Sequence, residues 1–217
     1  MKELLKKEFT LTAGPVTYLF TLFGLMAFIP GYPILVSAFF VNLGIQITFQ
    51  FAREYNDVLY TVLLPVNKSD AVKARYLFCI CIQMISFLIS GAVVAIRMTV
   101  LRDVTVYTQN VLLSANLTFL AFALVIHMLF NVIFVGGFFK TAYYYGKVFV
   151  IFAIVSMFVV GVSETLHHIP GLEFLTAISG EGVFVQIGIL AAGIVFYILG
   201  TVLSMKASIK RFEKLDL

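Results

Sequence analysis

The stretch Ala52-Arg-Glu-Tyr-Asn-Asp-Val-Leu-Tyr-Thr-Val-Leu-Leu-Pro-Val-Asn-Lys-Ser-Asp-Ala-Val-Lys-Ala-Arg75 is the longest polar interruption in an otherwise apolar chain. Four of its residues are Lys or Arg (Arg53, Lys68, Lys73, Arg75), and an apolar run of membrane length lies on either side. About 20 apolar residues are needed to cross a hydrocarbon core of about 30 Å. Working outward from this segment, six runs qualify, over about 12–29, 33–51, 76–96, 110–138, 147–163 and 182–205. None shows the period-2 alternation of a membrane barrel, so the expected fold is an all-α membrane protein with six transmembrane helices. The whole chain, 1–217, reads as one transmembrane domain.

Composition agrees. Of 217 residues, 61% are hydrophobic and 12% charged, with 23 Phe, 10 Tyr and no Trp, and mean hydropathy is +1.04. A soluble domain carries about a quarter charged residues, so this chain cannot cover a water-facing surface. Disorder is excluded by the same figures. The first apolar run follows the charged segment Met1–Thr10 without an A-x-A-like cleavage site, so it is read as a span and not as a removable leader.

Charge sets the expected orientation. With six crossings, thirteen of the fifteen Lys and Arg fall on one side, and only Arg97 and Arg102 on the other. The positive-inside rule then places both termini in the cytoplasm. The net charge of +4 is accordingly a rim facing anionic lipid headgroups, and no nucleic-acid partner is expected. Tyr143, Tyr144 and Tyr145 between Lys140 and Lys147 read as interfacial anchors.

Residues 1–10 space Met1, Leu5 and Phe9 four apart, with Lys2, Lys6 and Lys7 directed elsewhere, which predicts an amphipathic interfacial helix. Within 52–75, Tyr55, Leu59 and Val62 fall on one helical face, Pro65 should end that helix, and Ser69 or Asp70 should cap the next. An apolar face tied at both ends and followed by mixed charge suits a docking element for another protein. The outer segment 164–181 is half apolar around Pro170-Gly171 and predicts two short interfacial helices. His167 and His168 there are adjacent, so on a helix they point about 100° apart and cannot share a metal. Cys79 and Cys81 lie in an apolar run and read as packing residues.

Polar residues inside spans are costly and should face the bundle interior. Asn42, Gln46 and Gln50 form a stripe leading to Arg53; Gln83, Ser86, Ser90 and Arg97 form a second; Asn116, His127 and Asn131 a third; Gln186, Tyr197, Thr201 and Ser204 a fourth. Two roles remain open for Asn42, Gln46, Gln50, Gln83, Ser90, Asn116, His127 and Asn131: hydrogen bonding helix to helix, or lining a translocation path. His127 has no intramembrane carboxylate for a proton relay. Gly188, Ala192 and Gly200 have the spacing of a close helix contact. There is no phosphate-binding G-x-x-x-x-G-K-[ST], no H-E-x-x-H and no catalytic dyad, so the chain is not expected to be an enzyme, to bind a metal or to hold a cofactor itself.

The run Leu63-Leu-Pro-Val-Asn-Lys-Ser-Asp-Ala-Val-Lys-Ala-Arg-Tyr76, preceded by the acidic Glu54-Tyr-Asn-Asp57, resembles the corresponding segment of small bacterial type-2 ABC transporter permeases. Within that group, size and Phe content are most similar to permeases that export phenol-soluble modulins. A long fourth span and a minimal outer domain are the departures. The resemblance implies a permease that pairs with a second copy of itself and with separate ATPase subunits, which hold ATP and Mg. It implies further that 52–75 is the coupling segment, with Glu54, Tyr55, Asp57, Leu59, Val62, Leu63, Pro65 and Lys68 at the ATPase. The expected activity is export of an amphipathic or hydrophobic peptide or a lipid-like molecule. The alternative is the substrate-binding membrane subunit of an energy-coupling-factor importer, which would carry a ligand pocket within one copy.

The charge split generates a test. Single cysteines introduced at Lys68 and Lys210 should resist a membrane-impermeant thiol reagent added outside intact cells. Strong labelling of either reverses the orientation.

Overall fold

The computed structural model describes residues 1–141 and 144–215. Tyr143 of the expected interfacial cluster, together with positions 142, 216 and 217, lies outside them. All regular structure among these residues is helical. In order, the elements are α1 (Lys2–Lys7), continued as a π turn over Glu8–Thr12; α2 (Pro15–Thr21), continued as a 3₁₀ helix over Leu22–Phe28; α3 (Val36–Glu54); α4 (Asp57–Leu63); α5 (Lys68–Thr99); α6 (Thr105–Thr108); α7 (Leu117–Leu129), continued through a π stretch, Phe130–Val135, into α8 (Gly136–Phe138); α9 (Gly146–Leu166); a 3₁₀ turn, Glu173–Thr176; and α10 (Gly182–Phe212).

Among the described residues, four helices are long and apolar enough to cross a membrane: Lys68–Thr99, Leu117–Phe138, Gly146–Leu166 and Gly182–Phe212. The pair Lys2–Thr12 and Pro15–Phe28, bent by 97°, makes a fifth if it counts as one broken span. Pro15 starts the second arm because its missing N–H is no loss at a helix start. The arms are tied where the Tyr18 hydroxyl donates to the Phe9 carbonyl. Helix α3 is not among these spans, as Asn42, Gln46, Thr48 and Gln50 interrupt its apolar sequence.

The core runs the length of the bundle and is built largely of Phe. Phe49 packs edge-on to Phe134 and Phe138, and Phe130 lies edge-on to Phe152 and stacked on Phe134. Helix α10 packs most heavily on α7. The close approach is made by Gly193, where an added Cβ would sit 3.2 Å from the Ala121 backbone, and by Gly200 against Met128. Gly188 faces open space and Ala192 is exposed, so within the protomer the close contact of α10 runs through Gly193 and Gly200.

Several boundaries differ from expectation. The run 110–138 is helical only from Leu117, because Asn116 stops the chain outside and caps α7 through its side chain, accepting from the Phe119 N–H at 3.1 Å. The outer segment 164–181 holds one 3₁₀ turn instead of two helices, since α9 itself extends to Leu166 and turns follow around Gly171 at φ +89°. Lys68–Arg75 belongs to α5, so the third long helix begins inside the polar segment, with Asn67 and not Ser69 or Asp70 at its cap position.

Candidate functional site

Two polar centres stand out in the bundle. The first surrounds Gln83 on α5. Its Nε2 donates to Asn42 Oδ1 (3.0 Å) on α3 and Asn131 Oδ1 (3.1 Å) beyond α7. Its Oε1 accepts from Asn131 Nδ2 (3.0 Å) and from the Tyr197 hydroxyl (2.9 Å) on α10. Asn131 Nδ2 also donates to Thr201 Oγ1 at 3.0 Å, and His127 Nδ1 lies 3.3 Å from Asn42 Oδ1. Gln83, Asn42 and Asn131 are fully buried. Four helices therefore meet through one amide network whose members satisfy one another, as burial away from water requires.

A second layer serves the π stretch. The Asn131 carbonyl already accepts the π-type bond from the Gly136 N–H, and it also accepts from Ser204 Oγ (2.9 Å) and the Tyr76 hydroxyl (3.3 Å), which itself bonds Ser208 at 2.9 Å. The translocation-path candidates thus separate. Asn42, Gln83, His127 and Asn131 are brought together; Gln46 is buried beside them on α3 without joining the network; Gln50 pairs with Glu54 at 3.0 Å. Ser90 reaches the Gly24 carbonyl at 3.4 Å. Asn116 stands apart at the outer end, where its Nδ2 holds the Leu175 and Ala177 carbonyls at 2.8 and 3.1 Å.

The second centre is at the other end of α5. Helix α3 stops at Tyr55, and Asn56 turns the chain at φ 52°, a left-handed conformation that Asn tolerates better than most residues. The turn sets off α4 as a separate short helix. Its inner face carries Asp57, Val58, Thr61 and Val62. Asp57 accepts two hydrogen bonds from Lys7 Nζ (2.8 and 2.9 Å) and one from Arg75 Nη2 (2.8 Å). Lys7 Nζ also donates to Thr61 Oγ1 at 2.9 Å and faces Glu8 Oε1 at 3.2 Å. Arg75 Nη1 and Glu8 Oε2 form an ion pair at 2.9 Å without the alignment of a hydrogen bond. The Arg75 guanidinium lies 5.2 Å over the Phe49 ring. Two carboxylates and two cations enclose a cavity of ≈ 20 Å³ that also touches Phe139 and Phe212. The cluster is neutral, the condition on which charges can be buried.

The outer face of α4 is apolar and exposed at Leu59, Tyr60 and Leu63 (73%), flanked by exposed Tyr55 (70%) before it and Leu64 after it. The expected face of Tyr55, Leu59 and Val62 is therefore corrected by one position: Val62 turns inward onto the core, and Tyr60 and Leu63 take its place outside. Asp57 is corrected too. Expected at the ATPase, it is instead the half-buried centre of the charge cluster, because Lys7 and Arg75 both reach it. Glu54 and Pro65 are exposed, and Lys68 donates to the Leu215 carbonyl at 2.6 Å, tying the segment to the end of α10. Lys7, Glu8, Thr61 and Arg75 were not among the expected site residues. Their signal was the presence of acids in a basic rim: Glu8 beside Lys7, and Asp57 in reach of Arg75.

Membrane-length helices pinned by an internal amide network, with a short helix of exposed apolar face set off at one end, describe a multi-pass membrane protein. The family model described as ABC-2 family transporter protein matches residues 3–213, and the chain belongs to that family. Its members are the membrane component of ABC transporters, a transport and not a catalytic part, and work with an ABC ATPase. The energy-coupling-factor alternative gains no support from this match. Comparison with curated proteins gave no match, and comparison with solved structures gave none.

The amide network makes a prediction. Gln83→Leu leaves Asn42, Asn131 and Tyr197 each short of a partner, at a cost of about 1–3 kcal/mol, or roughly 5 °C in melting temperature. Ser90→Ala removes one long bond and should shift melting by less than about 1 °C, from a loss under ~0.5 kcal/mol. Thermal unfolding of both variants in detergent decides; equal shifts would mean that Gln83 is not the hub.

Proposed function

We propose that this chain is the permease of an ATP-driven exporter, two copies of which form the route for an amphipathic or hydrophobic peptide or a lipid-like substrate. Six crossings with both termini cytoplasmic follow if the four long spans are joined by the Pro15–Phe28 arm and α3. In this reading α4 is the coupling helix, and the partner ATPase holds ATP and Mg.

The observation that carries the proposal is the two-sided character of α4. Its Asp57 carboxylate is paired inside the protein, while Tyr55, Leu59, Tyr60, Leu63 and Leu64 stay exposed among the described residues. Support for a route between copies comes from the amide network, whose members are consumed by one another within one copy. Two grooves on the bundle are apolar and open outward, one of ≈ 340 Å³ along Leu19, Leu22, Leu25 and Ile29 and one of ≈ 180 Å³ along Phe122, Val125, Ile189 and Phe196. Twenty-three Phe and ten Tyr, with no acidic residue well inside a span, suit an apolar or amphipathic cargo better than a cation.

Small interfaces draw most of their affinity from a few buried apolar anchors. Leu63→Ala and Leu59→Ala should each weaken co-purification of the ATPase, by about 1–3 kcal/mol. Glu54→Ala, at an exposed charge, should cost less than about 1 kcal/mol and lose even that at high salt. Binding of the purified ATPase to each variant in nanodiscs, followed by substrate-stimulated ATP hydrolysis, is the measurement. If Leu59→Asp and Leu63→Asp leave binding unchanged, α4 is not the coupling helix.

A further inference from the structure

The outer half of the α2 arm is a seven-residue 3₁₀ helix, Leu22–Phe28. Runs longer than three or four residues are uncommon because the hydrogen bonds are poorly aligned, so an external hold is required. Side chains three apart eclipse in this form, and the sequence is written for it. Thr21, Gly24 and Ala27 form a buried column of small residues against α5, while Leu22 and Leu25 form the exposed column. A Cβ on Gly24 would lie 2.8 Å from the Ser86 carbonyl oxygen and 3.0 Å from Ser90 Oγ. In an α-helix the same small column would drift by about 60° every three residues and lose its fit to α5.

The hold is at the outer end. Arg97 Nη1 donates to the Ala27 carbonyl at 3.0 Å, and the Tyr107 hydroxyl donates to the Phe28 carbonyl at 3.0 Å. The Arg97 guanidinium lies 3.5 Å from the Tyr107 ring centroid. Arg97 is buried, and among the described residues it has no carboxylate partner. Its charge is spent on the terminal carbonyls of the 3₁₀ helix and on an aromatic face. Arg97 and the cluster residue Arg75 are on the same unbroken 32-residue helix, α5. At 1.5 Å per residue they stand about 33 Å apart, roughly the thickness of the hydrocarbon core.

We propose that Arg97 and Tyr107 are positioning residues for transport: they latch residues 22–28 in the 3₁₀ form, and α5 carries displacement of α4 to that latch. Release lets the segment relax to an α-helix. Seven residues then shorten by about 3–4 Å and rotate by about 140°. Because a leucine cannot occupy the space of Gly24 against Ser86, relaxation separates the arm from α5 and opens a crevice at the outer end. The latch stands on the contacts above alone; the lever rests in addition on the reading of α4 as the ATPase-docking helix.

The test is a pulsed electron-spin distance between labels at Leu19→Cys and Ile29→Cys, both exposed positions, in a Cys79→Ser/Cys81→Ser background in nanodiscs. In the chain without ATPase, Arg97→Met/Tyr107→Phe should shorten this distance by about 3 Å, while Arg97→Lys, which keeps a cation and a donor, should keep the wild-type value. In the permease–ATPase complex, nucleotide should shorten the wild-type distance by the same amount and leave the latch variant where it already is. An unchanged distance in the Arg97→Met/Tyr107→Phe protein, with helical content and monodispersity retained, overturns the latch. A shift in that variant with no nucleotide response in a wild-type complex overturns the lever. A wild-type chain that does not bind the ATPase refutes the docking reading and the lever with it, and the partner-free distances still judge the latch.

Discussion

Asp57 held between Lys7 and Arg75 is the constraint on which the α4 end of the molecule is organised. A carboxylate and a guanidinium are costly to place beside a hydrocarbon-like core of Phe49, Phe139 and Phe212 unless each finds a partner. Here four charges from three elements cancel: Lys7 and Glu8 from the N-terminal arm, Asp57 from α4 and Arg75 from α5. The result is direction as well as neutrality. With Asp57 turned inward, the opposite side of α4 must face out, and that side is Leu59, Tyr60 and Leu63. A pair made to bury charge thereby presents an apolar ridge.

The bundle interior obeys the same rule with neutral groups. The Gln83 network draws amides and hydroxyls from four helices into one satisfied cluster, and the Tyr76 layer below it holds the Asn131 carbonyl of the π stretch. Such networks fix helix register in surroundings where apolar side chains alone discriminate weakly. In a bundle this firmly knit, the 3₁₀ half of the first arm is the least regular part.

Much of this was legible in the sequence. Hydropathy located the four long spans, and the four-residue spacing of Asn42 with Gln46, and of His127 with Asn131, correctly put those side chains on interior faces. Pro65 and the Pro30–Pro33 turn marked their breaks. Periodicity could not tell which polar residues touch: Asn116 aligned with His127 on a helical wheel, yet the helix starts after it, because an Asn beside an outer turn caps better than it spans. The face of α4 was misplaced by one position, since the left-handed turn at Asn56 resets the phase between Tyr55 and the helix. The charge cluster was least visible, because its members are up to 68 positions apart in sequence, at Lys7 and Arg75, and each alone reads as rim charge.

The central claim, that the buried charge cluster holds α4 in place with its apolar side outward, is tested most directly by amide hydrogen exchange over residues 57–64 in the purified permease. Breaking one partner of a buried pair costs about 3–5 kcal/mol, and local opening is read by exchange in the same units. Arg75→Gln should therefore speed exchange in α4 by at least about tenfold, while the amides of Leu117–Leu129 in α7 keep their protection. Unchanged exchange in α4, with the variant folded, would contradict the account.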